Sequence, residues 1–193
     1  PLVEKQIQQV VSITRSNKMT AEEMKKKKKN LLQWVTVSDV SVSDRDKADY
    51  YLADQAVYQE VLNKLPKEQR FDADGNYLSE SEIYTNAVAS LTPEQLNYSD
   101  EELKAIELFT QMNAASYFET VNLVTDSLTA EQVALIVANS DQLEGISTTN
   151  NWQRSILDTS LSSIIGTVTS EQAGLPAEDA DYYLSKGYSA NDR

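Results

Sequence analysis

Residues 3–14 read Val3-Glu-Lys-Gln-Ile7-Gln-Gln-Val-Val11-Ser-Ile13-Thr14.

 That stretch contains no glycine or proline, and four of its five apolar residues, Val3, Ile7, Val11 and Ile13, fall on one parity while Gln6, Gln8, Ser12 and Thr14 fall on the other. Period two is the mark of a strand with one buried face, so the chain is expected to open with a strand over 3–14. At Thr20 the period changes. Thr20 and Glu23 form a capping-box pair, and Met24, Leu31, Leu32 and Val35 then recur at helical spacing, which predicts a helix to about residue 36 followed by a connection at 38–43.

Working outward, residues 44–65 read as one or two helices with Tyr51, Leu52, Tyr58, Val61, Leu62 and Leu65 along one side. Asp54 is placed to restart the helix as an N-cap, and Pro66 ends the pattern. A turn at 72–76 leads into a helix from Ser79 to about Ser90, a second turn starts at Thr92, and Ser99 caps a helix over 100–114 with Leu103, Ile106, Phe109 and Met112 on its inner face. Beyond it Phe118, Val121, Leu123 and Val124 suggest a strand at 117–125, and Thr129 with Gln132 opens a helix at 130–139. Strands at 145–154 and 164–169 and a short helix at 177–185, with Pro176 before it and Gly187 after it, complete the reading. Strands at both ends with helices between them predict an α+β fold. Its elongated β platform is built from the N- and C-terminal segments, 1–19 and 115–193, and a mainly helical head, 20–114, is inserted between them. The recurring fragments at Thr20, Thr92, Thr129 and Thr169 are unequally spaced, and read as capping signatures rather than as a repeat.

Composition narrows the chemistry. The 193 residues include no cysteine and no histidine, which excludes a disulfide, a thiolate nucleophile, a Cys/His zinc site and a serine–histidine triad. The net charge is −13 and unevenly spread, with 13 basic and 10 acidic residues up to residue 70 against 4 and 20 after it. Nucleic acid is therefore not an expected partner, because the acidic part repels a polyanion. The longest apolar run, Val133–Ala138, is far too short to cross a bilayer. The chain starts at Pro1 and reads as a piece of a longer polypeptide.

Four features invite a functional reading, and each has a plainer one. The loop from Asp72 to Glu82, with Asp74, Gly75 and Asn76 inside it, has the acidic look of a calcium loop. Yet Tyr77 stands where the sharp turn needs glycine and Ile83 where a bidentate glutamate is required, so a turn followed by a helix capped by Ser79 and Glu82 explains it. Lys25–Lys29 could touch anionic polymers or headgroups; the alternative is a solvated stretch in which the stem of Lys28 bridges Met24 and Leu31. Ten tyrosines with Trp34 and Trp152 could form a carbohydrate platform, or serve as core-edge residues with a polar tip. Asp100, Glu101 and Glu102 lie where a helix dipole favours acids, which is a simpler account than acid–base catalysis.

A family resemblance rests on three groups of residues. These are Pro1-Leu2-Val3 leading to Val10-Val11-Ser12-Ile13-Thr14-Arg15-Ser16-Asn17-Lys18; Ala48-Asp49-Tyr50-Tyr51-Leu52-Ala53-Asp54; and Leu157 to Gly166, Ala173 to Ala177 and Lys186-Gly187-Tyr188-Ser189-Ala190-Asn191-Asp192-Arg193. With them the chain resembles the class B penicillin-binding proteins of the 2B type, over their N-terminal dimerisation or pedestal module. The resemblance implies a membrane-anchored D,D-transpeptidase that cross-links peptidoglycan, working on the extracellular face of the bacterial plasma membrane. It also implies that the nucleophile lies elsewhere on that polypeptide. No Ser-x-x-Lys and no Lys-Thr-Gly occurs, and Ser189-Ala190-Asn191 matches Ser-x-Asn without a nucleophile to serve. No catalytic, cofactor-binding or metal-binding residue is assigned, and no cofactor is expected. The implied partners are the transpeptidase domain, membrane proteins of wall synthesis, peptidoglycan and a second copy in a homodimer. A free-standing module that binds wall glycan or calcium is the alternative.

Overall fold

The computed structural model describes residues 3–123 and 125–156, together with residues 182, 185 and 186. The chain divides into two compact units, one of residues 9–150 and one of residues 1–8 with 151–193. The fold is α+β, with a three-stranded sheet in the order β2-β1-β3 and six α-helices among the described residues.

β1 (Val3–Thr14) matches the expected first strand. It pairs antiparallel with β2 (Thr120–Asn122), placing Ser12, Ile13 and Thr14 opposite Asn122, Val121 and Thr120. On its other side runs β3 (Ile146–Ile156), two residues longer at its end than the expected 145–154. There the Thr14 amide donates to the Gly145 carbonyl at 2.7 Å and the Ser12 and Ser147 hydroxyls lie 2.9 Å apart. Central position changes the burial that alternation predicts, because Val10, Val11, Ser12 and Ile13 are all buried. Ile7, expected on the inner face, is instead 69% exposed. Gly145, at φ +81°, has no room for a side chain: a Cβ would stand 2.6 Å from the Thr14 carbonyl oxygen.

α1 (Ala21–Leu31) opens with the anticipated Thr20–Glu23 capping box but stops five residues short of the expected end. The Gln33 and Trp34 amides bond to the Asn30 and Leu31 carbonyls, tightening the last turn, and the β-branched run Val35-Thr36-Val37 that follows belongs to no helix or strand. Val35 and Val37 are buried with Thr36 exposed between them, and the Thr36 carbonyl accepts the Asp126 amide at 2.9 Å. The stretch read as one or two helices is two: α2 (Asp44–Leu52) and α3 (Gln55–Lys64), with Asp54 accepting from the Ala56 and Val57 amides as N-cap. α4 (Glu80–Ala89) and α5 (Asp100–Ala114) carry capping boxes from Ser79 and Ser99, and α6 (Ala130–Ala138) one from Thr129.

One core joins the sheet to α1, α5 and α6 through Val11, Ile13, Met24, Leu31, Phe109, Met112, Leu123 and Ile136. A second gathers Leu52, Val61, Leu65 and Ala87 under Tyr51, Tyr58, Tyr84 and Leu91, the side of residues 44–65 that sequence spacing marked. On α5, Ile106, Phe109 and Met112 are buried as expected, joined by Ala105 and Leu108, while Leu103 is only half-buried.

The strand expected at 117–125 shrinks to three residues, because the chain before it is a turn: the Glu119 amide bonds the Ser116 carbonyl, and Phe118 adopts φ +66° and is exposed. The strand expected at 164–169 and the Thr169 cap lie outside the described residues, as does most of the helix expected at 177–185. Within the unit of residues 1–8 and 151–193, Tyr182 and Ser185 are helical, and the Ser185 hydroxyl donates to the Tyr182 carbonyl at 2.7 Å.

Candidate functional site

The lysine run folds into a use that the sequence half disclosed. Met24, Lys28 and Leu31 are the buried residues of α1, at the i, i+4, i+7 spacing of one helix face. The stem of Lys28 therefore does fill the gap between two apolar residues, but its ammonium is buried too, which corrects the solvated reading. It hydrogen-bonds the Tyr50 hydroxyl, and both its nitrogen and that of Lys25 stand 4.2 Å from the centre of the Tyr50 ring. Lys25 also donates to the Tyr50 carbonyl at 2.9 Å. Edge contacts to Tyr98 at 5.8 Å and Phe109 at 5.4 Å fix that ring. Of the remaining lysines, Lys26 and Lys29 are exposed and Lys27 faces Glu144 at 3.7 Å.

Among the described residues no carboxylate comes within ion-pair distance of Lys25 or Lys28. Burial accordingly pushes the Lys28 ammonium down to about 8, helped by its neighbours Lys25 and Lys29, and lowers Lys25 as well. The same burial raises Tyr50, and raises Tyr98 to about 12, so both phenols stay neutral at physiological pH. An amine with a depressed pKa has the electronics of a nucleophile, but Lys28, at 4% exposure, is closed to a substrate.

The Asp72 loop is self-contained. One carboxylate oxygen accepts the Asp74 and Asn76 amides at 2.9 and 2.8 Å, the other takes the Asn76 side-chain amide at 3.3 Å, and these bonds hold the Asp72 carboxyl below its usual range. Phe71 and Tyr77 close the turn as a bridge with rings 4.4 Å apart, and Ser79 and Glu82 cap the following helix as expected. Among the described residues no three acidic groups converge to hold a metal. Asp100, Glu101 and Glu102 occupy the first turn of α5, where Glu102 accepts from the Ser99 amide and hydroxyl at 2.8 Å. A cleft of about 410 Å³ lies between α3 and the turn at 90–95, with Val61, Leu65 and Leu91 in its walls and the Glu60–Lys64 pair beside them.

Sequence reasoning missed a different feature, the turn before β2. There Tyr117 and Phe118 are 56% and 73% exposed, and Arg15 ties the turn to the end of β1. Its guanidinium donates to the Asn113 and Ala115 carbonyls at 2.6 and 3.2 Å and lies 5.0 Å from the Tyr117 ring, while the Phe118 amide donates to the Arg15 carbonyl at 2.8 Å. An aromatic residue beside Val121 and Leu123 reads as strand, and nothing local signals that its backbone turns left-handed. Of the two tryptophans, Trp34 packs half-buried against the core, as a core-edge residue should.

Comparison with known proteins bears on the whole chain. The profile described as the penicillin-binding protein dimerisation domain matches residues 1–193. Penicillin-binding protein 2B of Streptococcus pneumoniae is 53% identical over 193 residues, which are all of this chain and 28% of that protein. Penicillin-binding protein 2A of Bacillus subtilis is 28% identical over 185 residues, 95% of this chain and 26% of that protein. Among solved structures, penicillin-binding protein 2B from Streptococcus pneumoniae superimposes with a TM-score of 0.72 at 50% identity, covering the whole of this chain and 30% of that one. The chain thus spans under a third of the relatives it matches. With profile, sequence and fold in agreement along its entire length, the chain belongs to the penicillin-binding protein dimerisation domain family.

Proposed function

We propose that this chain is the non-catalytic module of a membrane-anchored serine D,D-transpeptidase of bacterial wall synthesis, acting on the extracellular face of the plasma membrane. Its role is geometric: it positions a catalytic domain carried on the same polypeptide and offers surfaces to protein partners in the membrane. The observation that carries this reading is the full-length similarity to penicillin-binding protein 2B, of which the chain matches only 28%. We assign the base to residues 1–19 and 115–193 and the head to 20–114. Capped helices on a packed core suit a spacer, since five of the six α-helices among the described residues carry a side-chain capping box.

A fluorescent penicillin tests the catalytic half of the proposal. The 193-residue chain alone is expected to take up no covalent label, whereas the parent polypeptide is labelled at a serine outside this segment; labelling of the isolated chain would refute it. A parent with residues 20–114 removed is expected to keep its label but lose its ability to support growth.

A further inference from the structure

α6 inverts the usual order of a surface helix. Its buried residue is Ile136, with Gln132 and Val133 half-buried beside it. Val137, Ala130, Ala134, Ala138, Glu131 and Leu135 are all exposed, and at about 100° per residue they form one continuous outward arc of about 160°. Five of those six are apolar, and Leu135 and Val137, at the two edges of the arc, are 46% and 60% exposed. The outward faces of α1 and α5 show the ordinary choice, with Glu22, Glu23, Lys26 and Lys29 on one and Asp100, Glu101 and Glu102 on the other. Folding does not account for Val137 in particular, since a straight polar side chain holds an exposed helix better than a β-branched one. An apolar face kept where polar residues serve the helix better points to a contact beyond the chain.

We propose that this face of α6 docks an amphipathic helix of another polypeptide, one whose apolar stripe is flanked by lysine or arginine. Charge selects that occupant. No lysine or arginine occurs between Lys104 and Arg154, while Asp126, Glu131, Asp141 and Glu144 stand on α6 or within six residues of its ends. Lys27 reaches Glu144 at 3.7 Å, but Asp126, Glu131 and Asp141 meet no cation within ion-pair distance among the described residues. Such a rim repels an anionic bilayer, and it repels a second copy that brings the same acids to the contact. It attracts a cationic partner and sets its approach, while the apolar arc supplies the burial. The alanines between Leu135 and Val137 leave the middle of the arc low, a shape into which a second helix lays its ridge. The inference rests on the reading of this chain as a module that offers surfaces to protein partners, and adds the place and the chemistry of one such contact.

Calorimetric titration with a synthetic peptide, two copies of Leu-Lys-Lys-Leu-Leu-Lys-Leu, tests it at about 150 mM sodium chloride, where general charge attraction is screened. One peptide is expected to bind per chain with Kd about 10–100 µM, to the 193-residue chain and to the parent polypeptide alike. A scrambled peptide of the same composition, without a continuous apolar stripe, is expected to bind at least about tenfold more weakly. The double variant Leu135→Gln, Val137→Gln is expected to lose at least about tenfold in affinity with little change in thermal midpoint, as befits exposed sites, and Glu131→Gln at least about twofold. Absence of binding, equal affinity for the scrambled peptide, or a double variant that binds like wild type overturns the proposal. So does a parent that fails to take up the peptide its 193-residue segment binds, since another part of it then covers the face, or a chain that co-sediments with phosphatidylglycerol vesicles through Leu135 and Val137. α6 lies outside residues 20–114, so the labelling and growth of the parent lacking those residues judge the positioning role separately.

Discussion

Lys28 shows how one residue can carry a cost that its neighbours disguise. Its ammonium has a phenol hydroxyl and an aromatic face for company but no carboxylate within ion-pair distance among the described residues, Glu102 attracting it only from farther off, and burial lowers its pKa from 10.5 to about 8. Below pH 8 the amine is charged in folded and unfolded chains alike, and the full penalty of burying a cation is present. Between pH 8 and 10.5 the folded chain releases the proton first, so stability rises with pH through that interval. Lys28→Met, which keeps the length and removes the charge, is therefore expected to raise stability by about 1 kcal/mol at pH 7. The gain should shrink by pH 9, as thermal melts at the two values would show; a loss of stability at pH 7 would mean that the Tyr50 contact outweighs desolvation. The burial of Lys28 was partly legible in its spacing from Met24 and Leu31. Its destination was not, since Tyr50 lies 22 residues away on another helix.

At the scale of elements, starts were more legible than ends. Thr20, Ser79, Ser99 and Thr129 each cap the helix that the sequence marked, because a cap is a bond between residues three apart and needs no tertiary partner. Ser99→Ala is expected to destabilise the chain by about 1 kcal/mol in urea denaturation, through loss of the bond to the Glu102 amide. The same caps add an acid sensitivity. Glu82 and Glu102 accept from the cap residues and are held below the usual carboxylate range, so their contribution is present above pH 4.5 and is lost as pH falls through their lowered values. A Ser79→Ala, Ser99→Ala double variant should accordingly show a smaller fall in urea midpoint between pH 7 and pH 3 than wild type. Ends failed where a distant group decided them. α1 stops at Leu31, where the Gln33 and Trp34 amides tighten the chain and the Thr36 carbonyl beyond them is taken by the distant Asp126 amide, and β2 shortens because Arg15 secures the turn before it.

For the whole molecule, charge is the property that composition alone makes testable. Residues 71–193 hold 20 acidic against 4 basic groups, and the exposed ion pairs are mainly three or four residues apart on one helix, so they do little to offset the general repulsion. Raising sodium chloride from about 20 to about 300 mM is expected to raise the melting temperature, because screening acts on the repulsion more than on these weak pairs. A fall would show that the pairs dominate. The amino-acid sequence by itself determined the α+β class, the capped helices, the strand at 3–14, the absence of thiol and imidazole chemistry, and the family. The family rests on the resemblance of particular residue groups, and each of the others depends on local periodicity, on bonds between near neighbours or on counts. Only the tertiary structure decided that β1 is the central strand, that Lys28 ends on Tyr50, and that Phe118 faces outward from a left-handed turn. These depend on contacts between residues far apart in the chain, whose energies outweigh local preference and leave no periodic trace in it.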